Sequence, residues 1–373
     1  MMKVSLGSFL EEITEKTTKN DQYPVLTSSK SGLFLQSDYF NKQVASKDNT
    51  GYKIIRKGQF TYRAMSDTGE FFPNMLECAE IGIVSPAYPV FGISRENVVE
   101  PEYLKYFFQS DEFQHSISSF AQGSTRTSVK FEKMKTVLIN LPSLEEQKKT
   151  ILKLDKVADL ISLRKQQLAK LDEAVKARFV EMFGDPILNQ KGFPVYRMDE
   201  VVTFQGGSQP DKKFFEYVPT ADNIRLIQIR DYKTDNYITY IPKSKAKRFC
   251  TADDIMIGRY GPPIFQILQG IEGSFNVALM KATPKIGRRE FIRYFLKQDC
   301  LLRYLEGMSQ RTAGQDGIQM DKLKAYPVPM PPEDMQIDFE NLVKKIKNQK
   351  ATIQQSLEHL EMLKKSLMQQ YFG

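Results

Sequence analysis

Residues 131–184 read FEKMKTVLINLPSLEEQKKTILKLDKVADLISLRKQQLAKLDEAVKARFVEMFG, and residues 320–373 read MDKLKAYPVPMPPEDMQIDFENLVKKIKNQKATIQQSLEHLEMLKKSLMQQYFG. The two stretches align without a gap at an offset of 189 residues. Identical pairs include Lys133/Lys322, Lys135/Lys324, Pro142/Pro331, Gln147/Gln336, Leu168/Leu357, Leu171/Leu360, Phe183/Phe372 and Gly184/Gly373. A gapless repeat of this length predicts that the chain contains two copies of one structural plan.

Each repeated stretch predicts a long amphipathic helix. In the first, Ser143-Leu-Glu-Glu146 offers a capping box, and Gly184-Asp-Pro186 supplies a stop. In the second, Met330-Pro-Pro-Glu-Asp-Met-Gln336 is an imperfect copy of that start. Apolar residues with four-three spacing form one seam along each helix. The seams comprise Val157, Ile161, Leu168, Leu171 and Val175 in the first helix and Ile346, Ile353, Leu357, Leu360 and Leu367 in the second.

Two matching seams in one chain predict that the helices pair with each other as a coiled coil. Polar residues interrupt both seams, namely Arg164 and Arg178 in the first and Lys350 and Lys364 in the second. The alternative is two unrelated amphipathic helices buried in separate cores. Equal length and a shared Phe-Gly ending favour pairing.

The segments outside the helices predict two strand-rich, mixed α/β domains. Short runs rich in β-branched residues, separated by Gly, Pro and Asn, indicate strands. They include Tyr52-Lys-Ile-Ile55, Gly82-Ile-Val-Ser85, Val90-Phe-Gly-Ile93, Ile224-Arg-Leu-Ile-Gln-Ile-Arg230, Tyr237-Ile-Thr-Tyr-Ile241 and Asp254-Ile-Met-Ile-Gly258. One helix is predicted near 102–115, with a counterpart at 290–306. The fold class is therefore α+β, with a variable domain at 1–140, a helix at 141–185, a second variable domain at 186–330 and a second helix at 331–373.

Composition indicates a globular protein of two ordinary domains, with 373 residues, 41% hydrophobic and 26% charged. No apolar run has the length of a membrane-spanning helix, and the first residues lack a signal-peptide pattern. The three cysteines lie far apart and are expected to be buried thiols in a reducing compartment. We therefore expect a cytoplasmic protein without membrane association. Two histidines leave little basis for a multi-histidine metal site, and no metal is expected.

Positive charge is concentrated in the second domain. The whole chain has a formal net charge of +8, and residues 185–330 alone hold 22 cations against 16 carboxylates. Lys243-Ser-Lys-Ala-Lys-Arg248 places four cations in six residues. Such a patch can bind phosphates, and an amide or guanidinium beside it can read base edges in the major groove. The alternative is a solvated loop.

Candidate DNA-binding residues follow from these cations and amides. They are Arg56, Lys57, Arg63, Arg126, Arg225, Gln228, Arg230, Lys243, Lys245, Lys247, Arg248, Arg259 and Arg311. Two of them belong to polar elements that precede the long helices, Gly123-Ser-Thr-Arg-Thr127 and Gly307-Met-Ser-Gln-Arg-Thr312. For these two elements, a capped turn between helix and strand is favoured over direct DNA contact.

No catalytic motif accompanies the binding residues. An amino-methyltransferase needs an Asn/Asp-Pro-Pro-aromatic loop, which Gly261-Pro-Pro-Ile264 does not provide. A phosphate-binding Gly-x-x-x-x-Gly-Lys-Ser/Thr loop is also missing. We therefore expect a chain that is not an enzyme, with no catalytic residue of its own.

In their order along the chain, these elements resemble the specificity (S) subunit of type I restriction-modification systems, and the resemblance covers essentially the whole sequence. The strings that carry it are Gly82-Ile-Val-Ser-Pro-Ala-Tyr-Pro-Val-Phe91, Tyr103-Leu-Lys-Tyr-Phe-Phe108, Leu141-Pro-Ser-Leu-Glu-Glu-Gln147, Met182-Phe-Gly-Asp-Pro186, Ile224-Arg-Leu-Ile-Gln-Ile-Arg-Asp231, Asp254-Ile-Met-Ile-Gly-Arg-Tyr-Gly261 and Asn276-Val-Ala-Leu-Met-Lys-Ala282.

The resemblance implies a non-catalytic subunit whose two target-recognition domains each read one half of an interrupted double-stranded DNA site. It implies an antiparallel helix pair with pseudo-twofold symmetry that sets the gap between half-sites and docks two modification subunits. Restriction subunits would join where the host has them. S-adenosylmethionine, ATP and Mg would belong to these partners, and this chain would hold no cofactor. The rival is a coiled-coil adaptor that assembles proteins without binding DNA; a self-contained enzyme is disfavoured.

Overall fold

The computed structural model describes residues 2–39, 48–95, 97–120, 127–260, 264–307 and 318–373. The chain forms two compact units, one made of Met1–Gln166 with Gln354–Gly373 and the other of Gln167–Ile353. Two 40-residue helices, Leu144–Phe183 and Glu333–Phe372, each contribute to both units. The units therefore divide the chain differently from the four sequence segments. Arg126, Arg311, residues 261–263 and most of the two polar elements before the long helices lie outside the described residues.

The first unit consists mainly of short antiparallel strands. Its strands are β1 (Met2–Ser5), β2 (Leu10–Glu12), β3 (Leu26–Ser29), β4 (Gly32–Leu35), β5 (Lys53–Arg56), β6 (Phe60–Thr61), β7 (Met65–Ser66), β8 (Asn74–Met75), β9 (Ile81–Val84), β10 (Val90–Ile93), β11 (Thr127–Ser128) and β12 (Leu138–Leu141). Its helices are α1 (Gln36–Tyr39), α2 (Pro101–Phe108), α3 (Asp111–Ser118), α4 (Phe131–Met134), the start of α5 (Leu144–Phe183) and the end of α10 (Glu333–Phe372). A four-stranded sheet has the order β2-β10-β6-β8, and the other pairs are β1-β12, β3-β4, β5-β9 and β7-β11.

The second unit follows a related plan. Its strands are β13 (Val195–Arg197), β14 (Val202–Gly206), β15 (Asn223–Ile227), β16 (Tyr240–Pro242), β17 (Phe249–Cys250), β18 (Ile255–Gly258), β19 (Gln266–Gln269), β20 (Gly273–Phe275), β21 (Leu279–Pro284) and β22 (Pro327–Pro329). Its own helices are α6 (Met198–Val201), α7 (Arg289–Leu296), α8 (Asp299–Gly307) and α9 (Met320–Ala325). Two four-stranded sheets have the orders β14-β21-β18-β19 and β16-β15-β20-β17. The β13-β22 pair corresponds to β1-β12, because both bring the first strand of a domain against the strand that precedes its long helix.

Within each unit, the segments of α5 and α10 run antiparallel. In the first unit, Lys153 Nζ lies 3.1 Å from Tyr371 Oη, and Lys165 Nζ lies 3.2 Å from Glu361 Oε1. In the second unit, Asp172 Oδ1 lies 2.6 Å from Lys350 Nζ. Residue numbers fall on α10 as they rise on α5, as expected for an antiparallel pair.

The seam residues lie on the less exposed face of each helix. Val157, Val175 and Leu357 are buried, and the other predicted seam residues are half-buried. Arg178 departs from the prediction, because its side chain is exposed and pairs with Glu181 at 2.5 Å. Phe179 is buried in its place, since its ring packs on Phe183 and Phe339 and so removes more apolar surface from water than an arginine could.

A buried glutamine fastens each long helix to its domain. Gln147 is fully buried; its amide oxygen accepts the backbone N–H of Glu100 at 2.9 Å, and its Nε2 donates to the carbonyls of Val98 and Pro142. Glu100 is the residue immediately before α2. The glutamine therefore joins the first turn of α5 to the start of α2.

The second unit repeats this contact. Gln336 is buried, its amide oxygen accepts the backbone N–H of Arg288 at 2.7 Å, and its Nε2 donates to the Pro331 carbonyl at 2.8 Å. Arg288 immediately precedes α7. The repeat pair Gln147/Gln336 thus makes the same connection in both units.

The last aromatic residue of each long helix packs on an aromatic residue of the equivalent helix in its unit, α2 or α7. Phe372 packs on Tyr103 of α2 with ring centroids 5.0 Å apart, and Phe183 packs on Phe291 of α7 at the same distance. The repeat therefore extends to the contacts that complete each core.

Several predicted elements have different bounds. The helix expected near 102–115 is split into α2 and α3, because the Ser110 hydroxyl accepts the N–H of Phe113 and donates to the Phe107 carbonyl, which ends one helix and caps the next. Its counterpart is split into α7 and α8. The strand expected at 224–230 stops at Ile227 and continues as a 3-10 turn, Ile229–Tyr232. The strand expected from Tyr237 begins at Tyr240.

The exposure of the cysteines and the character of the helices can be compared with the expectations of buried thiols and of no membrane association. Cys250 is buried and Cys300 half-buried, whereas Cys78 is exposed, contrary to expectation, because it follows β8 in a loop rather than lying in a core. No helix in the described ranges combines the length and apolar character that crossing a membrane requires.

Replacement of Gln147 by Ala is expected to lower the free energy of unfolding by about 2–4 kcal/mol, because the Glu100 N–H and two carbonyls lose their partner in a dry environment. Gln336→Ala should behave similarly. The matched control is Gln354→Ala, on the exposed face of α10, with an expected change below about 0.5 kcal/mol. Urea denaturation of the full chain measures the three differences; equal effects for all three would contradict the assignment.

Candidate nucleic-acid interface

The basic segment of the second domain follows β16 as a short 3-10 turn, Lys243–Lys245. Lys243, Lys245, Lys247 and Arg248 are all exposed. Lys243 Nζ donates to the Ala221 carbonyl at 2.7 Å. Within the described residues, no carboxylate lies within salt-bridge distance of the other three cations. Since the partner of Lys243 is a neutral carbonyl, none of the four cations has an acidic side chain of the described chain within salt-bridge distance.

An aromatic ring supports this segment from a neighbouring turn. Lys245 Nζ lies 5.0 Å from the centroid of Phe214, and Lys213 Nζ lies 5.1 Å from the same centroid. A backbone bridge between Glu216 and Tyr240 joins the two segments. Cation–π attraction holds both ammonium groups near one ring, so the cations are ordered while they stay exposed.

Gln228 and Arg230, the candidate base readers, are bound to a buried hydroxyl. The Nε2 of Gln228 and the Nη2 of Arg230 each donate to Thr239 Oγ1 at 3.1 Å, and Thr239 is fully buried. The guanidinium of Arg230 also lies over the ring of Tyr237 at 5.8 Å. Thr239 therefore fixes the direction of both side chains, a feature that preorganises a recognition surface.

Arg225 is paired with carboxylates rather than free. Its Nη2 lies 3.3 Å from Asp235 Oδ1, and its Nε lies 3.6 Å from Asp231 Oδ2. Burial raises the pKa of Asp231, and the backbone N–H of Gln228 and the charge of Arg225 oppose that rise. Arg225 thus helps to keep a buried carboxylate ionised.

Arg259 lies apart from the basic segment. Its guanidinium stacks 5.3 Å from the ring centroid of Tyr260, and its Nη1 donates to the Val277 carbonyl at 3.5 Å. It follows β18 directly, whereas the basic segment follows β16. The eight described candidates of the second domain are therefore distributed over several elements and two sheets.

The three described candidate cations of the first domain each face a carboxylate. Arg56 binds Glu15 through two hydrogen bonds of 2.5 and 2.9 Å, which raise the pKa of Arg56 and lower that of Glu15. Lys57 Nζ lies 2.6 Å from Glu80 Oε1, and the hydrogen bond to that carboxylate raises the pKa of Lys57. Arg63 Nη2 lies 3.7 Å from Asp67 Oδ2. Because these pairs are exposed, each contributes little to stability, but each neutralises a cation locally.

Arg63 also lines a cleft of about 810 Å³ in the first domain. Hydroxyl groups dominate its walls, together with Lys30, Glu70 and Phe72. Lys30 Nζ lies 2.9 Å from Glu70 Oε2. The hydroxyl-bearing lining residues are Thr27, Ser28, Ser29, Tyr52, Ser66, Thr68, Ser85 and Tyr88. The cleft thus offers many neutral donors and acceptors and balanced charge.

Several contributors to the site carry no charge and were not among the sequence candidates. These contributors are Thr239 and Phe214, which lie near the basic residues in sequence. The pairing of β15 with β16 brings Thr239 beside Gln228 in space. In the described ranges, no three His, Cys, Asp or Glu side chains are arranged to hold a metal ion.

Comparison with known proteins accounts for this architecture. Residues 6–173 match a family model described as the type I restriction modification DNA specificity domain. One similar solved structure comes from work on the complex assembly and conformational transition of the type I R-M system. The match has a TM-score of 0.58 and 17% identity, and it covers 99% of this chain and 97% of that chain. The family match thus lies in residues 6–173, while the structural match extends over nearly the whole chain.

Two further specificity subunits are similar to this chain. The S subunit of a type I restriction-modification system from M. genitalium matches with a TM-score of 0.55 and 12% identity over 100% of this chain and 96% of that one. The MjaIX specificity subunit of Methanocaldococcus jannaschii is 26% identical over 178 residues, which is 39% of this chain. The alignment spans 41% of the length of that curated relative. At these identities, the structural matches show the shared fold.

Thr239→Val keeps the side-chain shape but removes the acceptor shared by Gln228 and Arg230. The expected loss in free energy of unfolding is about 1–3 kcal/mol, since the amide and the guanidinium lose a buried partner. Thr203→Val, at an exposed position on β14, is the matched control and should change stability by less than about 0.5 kcal/mol. Urea denaturation measures both free energies of unfolding. An unchanged value for Thr239→Val would mean that the hydroxyl does not hold the side chains of Gln228 and Arg230.

Proposed function

We propose that this chain is the DNA sequence-specificity subunit of a type I restriction-modification complex. Each recognition domain reads one half of an interrupted site in double-stranded DNA. The observation that carries this proposal is the duplicated attachment of domain to helix by Gln147 and Gln336, in a chain whose residues 6–173 match the DNA specificity domain. Two equivalent attachments present two variable domains in equivalent ways, as reading two half-sites requires.

The subunit would have no catalytic role of its own. We assign adenine methylation with S-adenosylmethionine to two modification subunits, and ATP- and Mg-dependent translocation and cleavage to restriction subunits where the host has them. This chain would supply the choice of sequence. The candidate contacts are the cations and amides described above.

The long helices would dock the modification subunits. In the first unit, α5 exposes Leu152, Leu160 and Leu163, and α10 exposes Met362 and Leu363. Side chains of this kind, exposed on helices whose seams are already paired, support a further protein partner. We propose that helical segments of the modification subunits cover them.

The first test is co-expression of the chain with a modification subunit from the same genome, followed by mapping of adenine methylation on host DNA. The expected result is a bipartite, interrupted motif that disappears when this chain is omitted. A complex that forms without methylation and without salt-sensitive DNA binding would favour the adaptor role instead.

Removal of one heptad from each long helix, 161–167 from α5 and 357–363 from α10, tests the role of helix length. A seven-residue deletion keeps the seam in phase and shortens each helix by about 10 Å. At 3.4 Å per base pair, the preferred spacer should shorten by about three base pairs, with the half-site letters unchanged. Methylation mapping reads both quantities, and an unaltered spacer in an active variant would contradict the proposal.

A further inference from the structure

The cations of the basic segment in the second domain lack carboxylate partners, whereas several cations of the first domain have them. In the first domain, Lys30, Arg56, Lys57 and Arg63 each have a carboxylate within 4.0 Å. In the second, Lys245, Lys247 and Arg248 have none within the described residues. A phosphate must compete with the carboxylate in the first case, whereas it meets an uncompensated charge in the second.

We propose that DNA is held asymmetrically: the second recognition domain supplies most phosphate contacts through Lys245, Lys247 and Arg248, and the first contacts its half-site mainly through neutral groups. This proposal rests on the proposed function, because it divides the work of DNA binding between the two domains. It assigns affinity chiefly to one domain while both contribute specificity.

The basic segment has the dimensions of a backbone contact. Six extended residues span at most about 20 Å, and one strand of B-DNA carries a phosphate every 3.4 Å or so along the axis. Three cations within 245–248 can therefore reach neighbouring phosphates of a single strand. The contact of Lys245 with Phe214 holds one of them in place before DNA arrives.

The first domain offers a different kind of surface. Its cleft of about 810 Å³ is lined by hydroxyls, including Thr27, Ser66 and Tyr88, and its two cations are balanced by Glu70 and Asp67. Hydroxyls donate and accept hydrogen bonds and can meet base edges without the counterion release that phosphate contacts bring. Binding by this domain should therefore depend weakly on salt.

The test compares two triple variants of the full chain, each assembled with its modification subunits and each losing three positive charges. One carries Lys245→Gln, Lys247→Gln and Arg248→Gln; the matched control carries Lys30→Gln, Arg56→Gln and Lys57→Gln. Fluorescence anisotropy measures affinity for a duplex carrying the mapped motif across a series of KCl concentrations. Thermal unfolding confirms that both variants are folded.

The slope of log K against log salt should fall in magnitude by about 3 in the second-domain variant, at roughly 0.9 per lost phosphate contact. It should fall by less than about 1 in the first-domain variant. The methylated motif should keep its letters in the second-domain variant, because phosphate contacts position the protein without reading sequence.

Equal loss of slope in both variants, or a larger loss in the first-domain variant, would overturn the asymmetry while leaving the proposed function in place. Absence of salt-sensitive DNA binding and of motif methylation in the unsubstituted complex would overturn both. The two failures are thus distinguishable.

Discussion

The buried amide at the first turn of each long helix is the contact on which the rest of the molecule depends. A glutamine side chain has one carbonyl and one NH2 group. In Gln147 the carbonyl accepts the N–H of Glu100, and the NH2 group donates to the carbonyls of Val98 and Pro142. An apolar residue could fill the same volume but would leave these backbone groups without partners. Since Gln336 does the same before α7, variable domains can differ in sequence while their attachment stays constant.

The long helices illustrate what sequence periodicity predicts well. Their extent, their pairing and the low exposure of their seams follow from a spacing repeated over 40 residues, whereas the antiparallel direction was implied by the family resemblance. Where prediction was wrong, a local competition decided the outcome. Phe179 displaced Arg178 from the seam because an aromatic cluster was available to it, and Ser110 divided one expected helix because its hydroxyl could cap the next.

The candidate interface was harder to predict, for a physical reason. Charge composition locates cations, but the availability of a cation depends on carboxylates that lie far away in sequence. Glu15 pairs with Arg56 across 41 residues, and Glu80 pairs with Lys57 across 23. Only folding brings these groups together, so the sequence positions of Arg56 and Lys57 alone do not show that carboxylates neutralise them. Thr239 was missed because an uncharged residue leaves no mark on a charge pattern.

The contact between Lys153 and Tyr371 joins residues 218 positions apart, and it has a consequence for synthesis on the ribosome. The core of the first unit includes Phe372, so this unit cannot be completed until the end of α10 has been synthesised. The second unit, Gln167–Ile353, is continuous and can finish earlier. The second unit can therefore fold before the first, in which Tyr103 lacks the ring of Phe372 until the end of α10 emerges.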